Sequence, residues 1–384
     1  MIVSGIALPG MGFAIRLLVK KCIMEKTEKN KILILILSAV LVAALIRIPQ
    51  LFGFDAGASF FYEKNAALIV FLGIALYVIL TAETLRKNHL IATLIFYAVC
   101  TVYINLLHAN INKDVMQLVY LHLPLLLWCF YGLVFIGFDR KDKGKRMAYI
   151  QYNGKMAILG AVLMIAGFIL SAVTMGLFSA IDMNIENFYM EYIAMTGVAI
   201  APIAVTYIIE KYPRITHKII PLVANIFSPL VTIIQIVFLT VMFVTAKSPF
   251  NDREFLMVIN ALLAVVTALV VFSITGTAAE KTQRFLPVML FALTAVTLIT
   301  NLVALSAIIY RLGEFGLTPN RTAVLGINLL IFVHLVLMAI DLFRTVSGKR
   351  EIQRVERTTA RYLPVYALWT LIVVFLFPWI FATS

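Results

Sequence analysis

The chain has 384 residues, of which 62% are hydrophobic and 13% charged, with a formal net charge of +13. A mean hydropathy of +0.99 excludes a soluble globular domain, because too little polar surface exists to cover a water-exposed body. The loops between the apolar stretches are too short for a kinase, nucleotidase or DNA-binding module, and GxxxxGK[ST], HExxH and CxxC patterns are absent.

In chain order, positions 2–19 come first: apolar, but interrupted by Gly5, Pro9, Gly10, Gly12 and Arg16. No positive stretch precedes them and no cleavage site follows, so they do not read as a secretory signal. They are either an additional span or an interfacial segment. The basic run at 20–31 favours a span, since it would hold the inner end in the cytoplasm.

Eleven long apolar segments follow, at 32–52, 66–82, 90–108, 117–138, 154–178, 192–209, 219–246, 254–275, 286–309, 322–340 and 363–381. At about 1.5 Å per residue, roughly 20 apolar residues cross the hydrocarbon of a bilayer. None shows the period-2 alternation of a barrel strand, which leaves helices as the spanning element. The expected fold class is all-α: a polytopic integral membrane helical bundle of eleven transmembrane helices, twelve if 2–19 also crosses. It forms one integral membrane domain over 1–384, with 1–31 as an apolar segment plus basic stretch and 32–381 as the bundle.

Alternate loops differ sharply in charge. The set 20–31, 83–89, 139–155, 210–218, 276–285 and 344–362 holds 24 Lys and Arg, whereas the intervening set holds 6. Positive-inside bias therefore places the first set in the cytoplasm and the C-terminus outside. The net charge needs no nucleic-acid partner. The loop 344–362 interleaves Glu351 and Glu356 with its six bases and is expected to lie on the inner leaflet as a short interfacial helix, attracting anionic lipid headgroups or docking a protein partner.

No Asp or Glu falls in the middle of a span; Glu83, Glu210 and Asp341 sit at inner ends and Glu254 at an outer one. This argues against carriers that use a midplane carboxylate. Asn105, Asn225, Gln235, Asn260, Asn301 and Asn328 read as interhelical hydrogen-bonding residues. His334 stands apart, because a neutral imidazole at depth requires a partner. Pro202 in the sixth span, and Pro221, Asn225 and Pro229 in the seventh, mark a candidate helix-break region of the kind that builds transporter sites. Cys22, Cys100 and Cys129 offer no outer-face pair for a disulfide.

Two outer loops carry unusual chemistry: 247–254 (Lys-Ser-Pro-Phe-Asn-Asp-Arg-Glu) and 310–321 (Tyr-Arg-Leu-Gly-Glu-Phe-Gly-Leu-Thr-Pro-Asn-Arg). Each has Ser/Thr-Pro, then Asn, then an Arg opening the next helix. Asn251 and Asn320 are the expected N-caps, and Gly313 and Gly316 the left-handed turn that closes the ninth span. The arginines oppose the macrodipole of the helices they open. Arg253, Arg311 and Arg321 therefore need partners: either ion pairs with Asp252, Glu254 and Glu314, or an anion or headgroup.

The 310–321 stretch closely resembles a signature, roughly Arg-x-x-Glu-Tyr-Gly-Leu-Thr-x-Asn-Arg, of the bacterial membrane protein family catalogued as domain-of-unknown-function family 4153. The Asn-Asp-Arg-Glu stretch at 251–254 is similar to that family as well, and the resemblance covers roughly the last two-thirds of the chain. Phe315 stands where the signature has Tyr, so no catalytic role is carried over to that position. The resemblance implies a multi-pass protein of the bacterial cytoplasmic membrane and supplies no activity.

His108 and His122, near the outer surface, either join those loops in a headgroup or acid–base pocket or simply occupy the interface. Three function classes follow. The first is a carrier of a small molecule or lipid, built on spans six to ten. The others are an accessory or signalling subunit docking through its basic loops, and a membrane-embedded enzyme acting on a lipid-linked substrate at the outer face. No cofactor, metal ligand set or catalytic residue is assigned, and the bilayer itself is the one expected partner common to all three.

Overall fold

The computed structural model describes residues 30–53, 60–82, 86–107, 112–179, 185–244, 249–250, 252–277, 285–349 and 351–381. The 2–19 segment, Cys22, His108 and Asn251 lie outside the described residues. Those described form helices and turns, with no strand among them.

Among the described residues ten helices are long and apolar enough to cross a membrane, and the chain is a polytopic helical membrane bundle. Within the described residues, each apolar segment from 32 onward is largely helical. The first is α1 (Asn30–Ile46), shorter than the rest, followed across Arg47 by α2 (Ile48–Phe52). Then come α3 (Phe61–Thr81), α4 (Lys87–Leu106), α5 (Lys113–Phe135) and α6 (Lys143–Ser179). A short α7 (Glu186–Phe188) and a π-helical turn (Tyr189–Ala194) lead into α8 (Met195–Lys211). The remainder is α9 (Pro213–Val244), α10 (Arg253–Thr277), α11 (Phe285–Phe315), α12 (Pro319–Val346) and α13 (Gln353–Leu371), with a second π segment (Ile372–Leu376) joining α13 to α14 (Phe377–Ile380).

Two basic loops are shorter than the charge pattern suggests. Most of 139–155 belongs to α6, where Met147, Tyr149, Ile150 and Tyr152 are buried at helical spacing. Likewise α13 starts at Gln353, so the separate interfacial helix expected over 344–362 is instead the first turns of a spanning helix, with Val355, Thr359 and Tyr362 buried. Lys and Arg on one side of a helix do not stop it, because their long stems reach outward while the opposite face packs.

The expected breaks at Pro221 and Pro229 are absent: α9 runs as one helix through both, as α8 does through Pro202. Hydrocarbon offers the backbone no alternative partner, so losing one hydrogen bond is less costly than opening the helix. The side chains of Pro221 and Asn225 are outside the described set. Real irregularities occur elsewhere. At Arg47 the guanidinium donates to the carbonyl of Tyr192 in the first π turn and to Thr196 Oγ1 (3.0 Å), and it lies 4.3 Å over the Tyr192 ring.

Two buried clusters are the largest among the described residues. One is built from α3, α4, α5 and α8 with Val42 and Ile46 of α1; the other from α10, α11 and α12 around Leu290, Leu335 and Met338. Where α5 meets α12, Val115 and Leu118 pack on Ala323, Val373 and Phe377 and join the halves. In lipid such contacts act through shape and hydrogen bonds rather than exclusion of water.

Candidate functional site: the hairpin end and the α12–α13 polar ladder

The two hairpins meet. Arg311 Nη1 donates to the carbonyl of Phe250 at 3.3 Å, and the Phe250 and Tyr310 rings pack edge to face at 5.6 Å. Capping differs from expectation. Asp252 Oδ1 accepts from the Phe255 amide at 3.0 Å, and Thr318 Oγ1 from the Arg321 amide at 3.3 Å. Pro319 occupies the first turn of α12, which makes the residue before it the cap and puts Asn320 inside the turn. Gly316, at φ +73°, follows the last residue of α11, while Gly313 lies within that helix.

Among the described residues no ion pair links Arg253, Arg311 or Arg321 to Asp252, Glu254 or Glu314. Arg321 Nη1 instead donates to the carbonyls of Phe315 and Gly316 at 2.6 and 2.8 Å. The side chain that opposes the dipole of α12 thus serves the carbonyl end of α11, where a cation is favoured. Arg311 and Arg321 both stack on Phe315, at 5.5 and 5.3 Å. The contact uses the ring face, which needs no hydroxyl. Arg253 and Glu314 are exposed. His122 spends Nδ1 on the carbonyl of Leu118, one turn back, at 2.9 Å.

The prolines of α13 and α14 explain two long-range bonds. Pro364 has no N–H for the carbonyl of Ala360, which accepts from Arg146 Nη1 of α6 at 3.3 Å. Pro378 likewise frees the carbonyl of Val374, which accepts from Tyr103 Oη of α4 at 2.9 Å. In α8, Pro202 keeps its own carbonyl bonded to Thr206 Oγ1 (2.8 Å), and Pro229 of α9 follows Ser228, which faces Ser273 at 3.5 Å.

The densest polar chemistry lies between α12 and α13. Along α13, Arg354, Thr358, Tyr362 and Tyr366 recur at i, i+4 and form one stripe. Against them α12 sets Asp341, His334 and the Leu330 carbonyl. Asp341, 6% exposed, accepts from Arg354 Nε (3.1 Å) and Thr358 Oγ1 (2.6 Å). His334 stacks on Tyr362 at 4.4 Å and shares a 3.0 Å hydrogen bond through Nδ1 with Tyr366 Oη. Tyr362 Oη donates to the Leu330 carbonyl at 2.8 Å. Further along, the Trp369 indole lies against Gly326, and Asn301 Nδ2 of α11 donates to the Asn328 carbonyl at 3.4 Å.

This ladder is incompletely satisfied. His334 Nε2, Asn301 Oδ1, Asn328 Oδ1 and Trp369 Nε1 are buried and have no hydrogen-bond partner among the described residues. The polar cluster of the first half contrasts with it. There Tyr131, Tyr152 and Thr206 bond in series at 3.0 and 2.7 Å, and Glu210 is held by Tyr77 (3.2 Å) and Lys31 (3.4 Å). A closed network is structural; unmet buried groups call for water or a ligand. At the basic-loop end the ladder opens into a hollow of about 440 Å³ lined by Asp341, Arg344, Arg354, Thr358, Arg361 and Tyr362, among others.

Sequence reasoning singled out His334 and the asparagines but missed Arg354, Thr358, Tyr362 and Tyr366. Their i, i+4 spacing was the available signal, hidden because the boundary at 362 assigned Arg354, Thr358 and Tyr362 to an interfacial helix and Tyr366 to a separate span. Among the described residues no hydrogen bond or ion pair brings Arg253, Arg321 and His122 together into the headgroup or acid–base pocket that was one of the two alternatives for the outer histidines, and His108 lies outside the described residues. The hairpin arginines have mostly structural partners, and of the eight buried polar side-chain atoms without a partner among the described residues four lie along the ladder, the others being Gln50 Oε1, Tyr97 Oη, Asn260 Oδ1 and Thr267 Oγ1.

The fold and this ladder define a polytopic membrane protein with a polar seam through one half of its bundle. No family model, curated protein or solved structure matches the chain.

Proposed function

We propose that the chain is a multi-pass carrier of a small molecule or lipid in the bacterial cytoplasmic membrane. Its basic loops face the cytoplasm and its C-terminus lies outside, and the α11–α12–α13 seam forms the polar part of its pathway. One observation carries the reading: a ladder from an arginine-lined mouth to His334 and Trp369, with buried polar atoms that have no hydrogen-bond partner among the described residues. In a membrane helix such groups are costly and are kept where water or substrate reaches them. The bacterial setting rests on the resemblance of 310–321.

Substituted-cysteine accessibility tests this. In a background lacking Cys22, Cys100 and Cys129, His334→Cys and Asn328→Cys are treated with a membrane-impermeant thiol reagent from each side. Reaction from the basic-loop side supports a pathway. Inertness from both sides, with Arg361→Cys reacting normally, would reduce the ladder to packing.

A second reading, an accessory or signalling subunit, is favoured by α6. Residues 161–168 are exposed around the full circumference of that helix, so no face of these two turns is buried against the described residues. Co-purification of a stoichiometric partner, lost on polar substitution there, would favour it. The outer-face enzyme reading has the least support, since the hairpin arginines converge with no carboxylate or imidazole among the described residues.

A further inference from the structure

We propose that the basic-loop end of α12 binds an anionic phospholipid, its phosphate held by Arg344 and Arg361 and an acyl chain laid along Phe291 and Phe343. Two hollows flank the last turns of α12, and they share Ile340 and Arg344.

The first hollow, about 440 Å³, is lined by three arginines and one acid. That acid is committed: both Asp341 oxygens accept bonds, from Arg354 and from Thr358. The guanidiniums of Arg344 and Arg361 have no hydrogen-bond or ion-pair partner among the described residues. Two unpaired guanidiniums opening on one hollow suit a phosphate, whose oxygens accept their forked donors.

The second hollow, about 480 Å³, has the opposite character. Phe291, Ala339, Ile340 and Phe343 form an apolar wall, with Arg344 and Lys349 at its rim, and Phe343 is 56% exposed. A soluble anion would use only the first hollow. An amphiphile uses both, and their junction at Arg344 is where phosphate and acyl chain would meet. The site lies at the end of a span, at headgroup depth, where basic pockets between helices hold anionic lipids. The inference does not depend on the carrier reading, because such a lipid would sit equally on an accessory subunit.

Native mass spectrometry of the purified full-length chain, titrated with dioleoylphosphatidylglycerol or dioleoylphosphatidylcholine, tests the proposal. The phosphatidylglycerol adduct should survive activation, with phosphatidylcholine bound far more weakly. Affinity should fall about thirtyfold in Arg344→Ala/Arg361→Ala, from about 1 kcal/mol per basic residue near a membrane surface. Lys141→Ala/Lys143→Ala, which removes the same charge at the start of α6, should bind as the wild type does. If the alanine pair does not fold, Arg344→Lys/Arg361→Lys keeps the charge without the fork and should bind several-fold more weakly. Equal losses in the two alanine pairs would overturn the site in favour of diffuse charge attraction. Equal binding of phosphatidylcholine would overturn the anionic specificity. Displacement of the lipid by millimolar inorganic phosphate would reassign the hollow to a free anion.

Discussion

Gly326 gives the sharpest quantitative test of how α12 and α13 pack. A Cβ at this position would lie 2.0 Å from Cη2 and 2.2 Å from Cζ2 of Trp369. Carbon atoms do not approach that closely, and a rigid indole in a packed seam has no free end to swing aside. Gly326→Ala must therefore displace the ring or separate the helices, at a cost of about 2–3 kcal/mol, towards the upper range for overpacking. The small helix-propensity gain of Ala over Gly, about 1 kcal/mol at most, offsets only part of it. Unfolding by sodium dodecyl sulfate in mixed micelles reads the difference. Trp369→Leu removes the obstacle, so in that background Gly326→Ala should be neutral or slightly stabilising. The coupling energy between the two positions should then exceed about 1.5 kcal/mol, as for residues in direct contact. Near-additive effects would refute the packing described here.

Other outcomes follow from the same geometry. Thr318→Ala should destabilise by about 1 kcal/mol through loss of the α12 cap, while Asn320→Ala should cost nearly nothing, measured by the same unfolding assay. Tyr103→Phe strands the Val374 carbonyl beside Pro378 and should cost about 1–3 kcal/mol, whereas phenylalanine at Tyr120, which has no such duty, should not. The Lys145 ammonium, 2.9 Å away, holds the exposed Asp139 carboxyl below the usual carboxylate range. A depressed folded-state value means that any stabilisation is present above the unfolded value and lost as pH falls through the folded one; an NMR titration of Asp139 should therefore move upward in Lys145→Ala. An unchanged titration would remove the ion pair from the account.

The bundle was legible because hydropathy over about 20 residues is a strong signal that local chemistry scarcely disturbs. Helix ends were harder to read. The Lys143–Arg146 and Arg354–Arg361 stretches look like loops by charge, yet Met147 and Ile150, and Val355, Thr359 and Tyr362, are spaced for a buried helical face. Charge decides which side of a membrane a segment occupies more readily than whether it is helical. The hairpin arginines were recognised as anomalous against the helices they precede. Their partners were not legible, because the carbonyls of Phe315 and Gly316 become acceptors only when the chain reverses at Gly316. The ladder's histidine was visible alone, but its tyrosines belong to another helix, and pairing across helices is not written in either one's periodicity.

The two borrowed hydrogen bonds on α13 and its extension constrain how that helix can move. Arg146 holds the carbonyl freed by Pro364, and Tyr103 holds the one freed by Pro378. These anchors come from α6 and α4, in the opposite half of the bundle, and lie about 20 Å apart along the helix. A rod pinned at two points cannot slide along its axis without breaking both pins, but it can flex where its own backbone ladder is missing a rung. Each missing rung is at a pin. Any displacement of α13 against α12 is therefore channelled into bending at those two levels, and the stretch carrying Tyr366 and Trp369 lies between them.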